Sequence, residues 1–151
     1  MKRIGVCSRE RRAHWVNRIT LRKEEFVESV SAMEEDIEDE VSAEGNSALL
    51  EHLQLCGAIP ESYRQDSRDE KLYSKYTDVL LAVAFRSLGF RCEVLRERVD
   101  SADVEMRGGG YALVADAKAF RLSRTAKNQK DFKVQSLRHW RRHRDYALLV
   151  C

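Results

Sequence analysis

Phe26, Val30, Met33, Ile37 and Val41 recur every three or four residues, which predicts an amphipathic helix over residues 24–42. The other side of that helix carries the acidic run from Glu34 to Glu40, which reads as a solvated face. Asn46 or Ser47 can cap a second helix through Leu55, with Gly57 just past its end. A third helix is expected from Asp69 to Leu88, stopped by Gly89. Leu72, Tyr76, Val79, Leu80 and Val83 make one apolar stripe on it, and Leu81, Ala82 and Phe85 widen the second half. That half is apolar nearly all round, so deep burial is expected.

Beyond Gly89 the pattern changes to short runs. Arg91–Leu95, Ala102–Met106 and Tyr111–Lys118 are strand candidates, with Gly108-Gly109-Gly110 as a hairpin-like turn between the last two. Tyr111-Ala112-Leu113-Val114-Ala115 is unbroken by charge, as expected of a central strand covered on both sides. A helix is expected from Thr125 to Arg144, with Val134, Leu137 and Trp140 as its stripe, then a strand over Tyr146–Val150. From residue 69 the order is helix, three strands, helix, strand. That order places a mixed sheet between helices, an α/β architecture, with further helices at the N-terminal side.

A chain of 151 residues suits one folded domain, assigned to residues 24–151, preceded by a basic N-terminal segment over 1–23. The longest apolar run, Val79 to Phe85, is far short of the ~20 residues that span a bilayer, so no membrane association is expected. No secretory signal pattern follows the first residues. Cys7, Cys56, Cys92 and Cys151 are scattered without a C-x-x-C pair, which reads as reduced thiols in a cytoplasmic protein rather than a zinc site.

Net charge is only +2, but its distribution is blocked. Residues 1–23 hold eight basic residues against one acid, 24–70 hold two against fifteen, and 117–144 hold ten against Asp131 alone. Such blocking can present a strongly positive face to a polyanion.

The candidate chemistry lies where the third strand ends. Asp-x-Lys occurs three times, at Asp69-Glu70-Lys71, Asp116-Ala117-Lys118 and Asp131-Phe132-Lys133. The first and third fall on expected helices, where residues two apart diverge, and read as surface charge. Asp116 and Lys118 end an apolar strand and share one face of it. They are either a structural ion pair at the sheet rim or part of a site. Strand pairing across the glycine turn brings Asp103 towards Asp116. Two carboxylates from adjacent strands, with a lysine beside them, suit Mg²⁺, a hard cation that polarises a phosphodiester and acidifies water. Asp78 sits on an otherwise buried helical face, and either serves the site or pairs with a nearby arginine. Glu70 is a weaker candidate.

The cations Arg121, Arg124, Lys127, Lys130, Lys133, Arg138, Arg141, Arg142 and Arg144 follow directly, and their adjacency favours phosphate contacts. The loop from Arg121 to Asn128 also offers Ser123, Arg124 and Asn128 to base edges. His139 and His143 read as surface residues and Trp140 as core.

With Asp103 and Asp116-Ala117-Lys118 on a helix, three-strand, helix, strand core, the chain resembles the PD-(D/E)xK nuclease superfamily. The stretch from Leu113-Val114-Ala115-Asp116-Ala117-Lys118-Ala119-Phe120-Arg121 through Lys130-Asp131-Phe132-Lys133-Val134 closely resembles HindIII-type restriction endonucleases. Weaker similarity runs through Glu70-Lys71-Leu72-Tyr73-Ser74-Lys75 and Gly57-Ala58-Ile59-Pro60-Glu61. The resemblance implies a restriction-endonuclease-like fold and a homodimeric type II enzyme that hydrolyses double-stranded DNA with Mg²⁺. It further implies an AAGCTT target and a cognate DNA methyltransferase in the same system. By motif position Asp103, Asp116 and Lys118 take catalytic roles, with Asp78 as a helix carboxylate. Asp103, Asp116 and the Ala117 carbonyl would hold the metal. Arg121, Ser123, Arg124, Lys127, Asn128, Lys130 and Lys133 would contact DNA. Ala102 stands where a proline often precedes the first aspartate. Relative to the family the chain is expected to be C-terminally truncated. The alternatives left open are a DNA-binding remnant without turnover and a repair or junction nuclease of the same superfamily.

Overall fold

A computed structural model describes residues 9–95, 102–121 and 134–150. The chain begins with α1 (Arg9–Leu21), α2 (Phe26–Glu44) and α3 (Asn46–Leu55), then a two-residue strand β1 (Ala58–Ile59). The long helix α4 (Arg68–Ser87) leads into β2 (Arg91–Val94), β3 (Val104–Gly108) and β4 (Tyr111–Ala117). A second short strand β5 (Phe120–Arg121), helix α5 (Val134–Arg141) and β6 (Tyr146–Val150) complete the order. The expected α/β architecture is therefore present, with element ends within a few residues of those read from the pattern. The expected helix start at Thr125 lies outside the described residues.

The main sheet runs β2-β3-β4-β6. β3 pairs antiparallel with both β2 and β4, and β6 pairs parallel with β4. Gly109 and Gly110 close the β3–β4 hairpin, both at positive φ, the two-residue geometry that matches strand twist. Before that turn, a Cβ on Gly108 would stand 2.7 Å from the Phe90 ring, so only glycine fits there.

Helix α4 organises the core. Ser67 caps its start by accepting from the Glu70 amide at 3.2 Å. Its buried residues include Leu72, Tyr73, Tyr76, Val79, Leu80 and Val83, and it packs on one face of the sheet through Val94, Val104, Met106 and Ala115. On the opposite face, α5 packs Leu137 and Trp140 against Ala102, Val114 and Ala147. The sheet is thus covered on both sides at β4, as its apolar run requires. No described helix is long and apolar enough to cross a membrane.

Two features differ from the sequence expectation. The basic segment contains α1, whose Trp15 and Ile19 are fully buried and whose Trp15 ring stacks on Tyr76 at 5.4 Å. The acidic run of α2 is not simply solvated. Asp36 pairs with Arg18 at 2.5 Å and with Arg22, Glu40 pairs with Arg11 at 2.7 Å, and Glu34 and Glu38 both pair with Arg86 at 2.6 Å. The physical reason is charge complementarity between neighbouring helices, which a one-helix reading of the acidic face leaves out.

Candidate active site

Alternation along β4 buries Ala115 and Ala117 in the main core and leaves Asp116 and Lys118 together on the other face. The β3–β4 register pairs Val104 with Ala115, and Asp103 donates its amide to the Ala115 carbonyl at 2.9 Å. Asp103 therefore stands level with Asp116, one residue beyond the ladder, as strand pairing across the glycine turn predicts.

After Lys118 the chain is pinned quickly. The Lys118 amide donates to the Val150 carbonyl at 2.9 Å, and Phe120 donates to the Gly57 carbonyl at 2.8 Å, where β5 pairs parallel with β1. Gly57, at φ 79, lies under this connection, with its own amide donating to Thr77 Oγ1 of α4 at 3.2 Å. The small β1–β5 ladder thus fixes the exit from the site.

Asp116 is only 1% exposed. Lys118 Nζ straddles its carboxylate, donating to Oδ1 at 2.6 Å and ion-pairing with Oδ2 at 2.5 Å. Burial pushes Asp116 up to about 6, with the hydrogen bond to Asp103 adding to the rise and Lys118 opposing it. Asp78 reaches the same cluster from α4. Burial pushes it up to about 7, and the Asp103 charge adds to this while Lys75 works against it. The expected arginine partner of Asp78 is instead Lys75, whose Nζ lies 2.7 Å from Asp78 Oδ2.

Lys75 is the residue the sequence reading missed. Burial opposes its charge, but Asp78 and Asp103 outweigh that and hold its pKa above the usual lysine value. Its only signal in the sequence is its place three residues before Asp78, one helical turn away.

Carboxylate oxygens are hard donors of the kind that could hold a divalent cation. Asp116 is buried beside Lys118, and Asp103 stands level with it from the residue before β3. Among the described residues no group of three or more His, Cys, Asp or Glu has metal-holding spacing.

Other candidates separate. Arg121 is bound internally, with Nε 2.9 Å from Glu70 Oε1 and a terminal nitrogen donating to the Tyr63 carbonyl at 2.6 Å. Glu70 and Arg121 are thus paired on the wall of a cleft of about 570 Å³ lined also by Lys71, Ser74 and Phe120. Ser123, Arg124, Lys127, Asn128, Lys130 and Lys133 lie outside the described residues. On α5 and just after it, Arg138, His139, Arg141, Arg142 and His143 are exposed, while Trp140 is core.

A family model described as HindIII restriction endonuclease matches residues 13–151. The Type II restriction enzyme HindIII of Haemophilus influenzae (strain ATCC 51907 / DSM 11121 / KW20 / Rd) is 48% identical over 104 residues. The match covers 68% of this chain and 35% of that relative's length. The five helices and two sheets of the described residues agree with a restriction-endonuclease-like core.

Proposed function

The chain belongs to the HindIII restriction endonuclease family, and on that premise we propose that it is a magnesium-dependent type II deoxyribonuclease hydrolysing double-stranded DNA at a specific site. The observation that carries this reading is the Asp103, Asp116 and Lys118 cluster, with Lys118 Nζ paired to both oxygens of a buried Asp116 carboxylate. Asp103, Asp116 and the Ala117 carbonyl would hold the ion, which when bound supplies a Lewis acid for the phosphodiester and a more acidic water. Lys118 keeps the Asp116 carboxylate fixed and offers its remaining N–H to the attacking water or the scissile phosphate. The attacking oxygen forms a new P–O bond as the bond to the leaving sugar oxygen breaks, and a proton must reach that leaving group. Asp78, buried beside Asp103 and raised to about 7, is poised to share protons within the cluster.

The basic stretch after Lys118 would supply phosphate contacts, and Ser123, Arg124 and Asn128, beyond the internally bound Arg121, the base contacts. The family premise supports AAGCTT as the target, a homodimer to match a two-fold site, and a cognate methyltransferase in the same system. The experiment is conversion of supercoiled plasmid to nicked and linear forms with Mg²⁺, Ca²⁺ or EDTA. Cleavage only with Mg²⁺, reduced on the order of 100-fold or more in Asp116→Ala and Lys118→Ala, is expected. Binding without any cut would instead mark a DNA-binding remnant, and nicking at junctions rather than at a sequence would mark a structure-specific nuclease.

A further inference from the structure

Lys75 Nζ has three acceptors around it. Asp78 Oδ2 lies at 2.7 Å, the Leu95 carbonyl at 3.3 Å and Asp103 Oδ1 at 3.4 Å. An ammonium carries three N–H groups, so this arrangement can use all of them. The side chain is largely withdrawn from solvent, with 18% of it exposed. Asp103 lies just before β3, and its backbone is fixed by two hydrogen bonds: its amide to Ala115 and its carbonyl from the Leu95 amide at 2.8 Å. Its side chain has no such ladder to hold it, and among the described residues Lys75 is the cation that pairs with it.

We propose that Lys75 is a positioning residue for the metal-binding pair, anchored on α4 by Asp78 and holding Asp103 by one oxygen so that the other stays turned towards Asp116. The inference rests on the metal-dependent reading above. Three observations carry it. The Lys75–Asp78 pair lies within one helix, so the ammonium is placed by the helix itself. Lys75 meets Asp103 at Oδ1, 3.4 Å away, while the same Asp103 carboxyl shares a hydrogen bond with Asp116. The same Nζ contacts the Leu95 carbonyl, so it joins the end of β2 and the entry to β3 at the point where Asp103 must be placed. Partners behind a metal-binding carboxylate typically change metal affinity by about 10- to 100-fold when removed.

Simple charge counting makes the opposite forecast: a cation next to the carboxylates repels a divalent ion, so its loss should tighten binding. The two forecasts differ in sign. The test is Mn²⁺ titration of the full chain without DNA, with free Mn²⁺ followed by electron paramagnetic resonance. The variants are Lys75→Met, Lys75→Arg, Lys75→Met with Asp78→Asn, and Asp116→Asn. Wild type that binds no Mn²⁺, or an Asp116→Asn protein that binds it as wild type does, sinks the metal reading itself. With that reading intact, positioning by Lys75 requires affinity about tenfold weaker in Lys75→Met, recovered in part by Lys75→Arg. Lys75→Met leaves Asp78 buried without its cation and can fail to fold; the double variant removes both charges together and must show the same loss. Unchanged or tighter Mn²⁺ binding in a folded Lys75→Met or double variant, or no recovery by arginine, overturns the proposal.

Discussion

Asp116 carries two opposing demands. Its burial favours the protonated acid, while its adjacent lysine and any divalent cation favour the carboxylate. Asp116 at about 6 and Asp78 at about 7 both stand above the usual carboxylate value of 3.8. In that window the folded protein keeps protons that the unfolded chain has released, so their contribution to stability is full below the unfolded value. It is lost as pH rises through the folded values. His52 acts in the other direction, because burial holds it below 6.5 between Tyr76 and Glu40, and its contribution is lost as pH falls below 6.5. As pH rises from about 6.5 to 8 the His52 contribution saturates, and among the described groups the two aspartates dominate, so the metal-free melting temperature is expected to fall towards pH 8. Asp116→Asn should flatten this decline and melt higher than wild type in EDTA at about pH 8, by roughly 2–4 °C for each ~1 kcal/mol relieved. Thermal melts in EDTA across that range check it, and a steeper decline in the variant would contradict it. Asp103, Asp116 and Lys118 were legible in the sequence because strand alternation and a glycine turn suffice to bring them together. Lys75 was not, because its role depends on where Leu95 and Asp103 lie, and helix periodicity carries no such information.

Among the elements, α4 was the most legible, since ten of its residues are buried and few alternatives accommodate so apolar a stretch. The hairpin was also legible, because Gly109 and Gly110 both need positive φ in a two-residue turn. Gly108→Ala is expected to destabilise by ~1–3 kcal/mol, because the added methyl meets the Phe90 ring and the strand must shift. Urea unfolding measures this, and an unchanged midpoint would refute the packing argument. Helix α1 escaped the sequence reading because only Trp15, Val16 and Ile19 mark its apolar face amid arginines. Its docking relies on the Trp15–Tyr76 stack and on ion pairs to α2 that no local pattern encodes. Trp15→Ala should cost ~3–5 kcal/mol, the scale of emptying a buried aromatic site. The β1–β5 ladder, two residues on each side, was equally invisible, yet it holds the exit from Lys118.

At the scale of the molecule, the two basic blocks have different partners. Arg11, Arg18 and Arg22 are engaged with the acidic face of α2. Arg138 and Arg141 on α5 are exposed, with no ion pair among the described residues, and stand on the layer opposite α4. Charge totals alone could not separate these fates, because pairing depends on which helices become neighbours. Reversing Arg138 and Arg141 to glutamate should weaken binding to duplex DNA and reduce the salt slope by ~0.9 for each phosphate that is no longer neutralised. Arg18→Ala should leave that slope unchanged, as fluorescence anisotropy across a salt series can show. The claim that unites these scales is sequence-specific, metal-dependent cleavage by the Asp103–Asp116–Lys118 cluster. The most direct test maps the ends left on a sequenced plasmid by wild type and Asp116→Ala with Mg²⁺. The account predicts discrete fragments from wild type alone, with both strands cut at one palindromic sequence. An intact plasmid, or the same ends from Asp116→Ala, would contradict it.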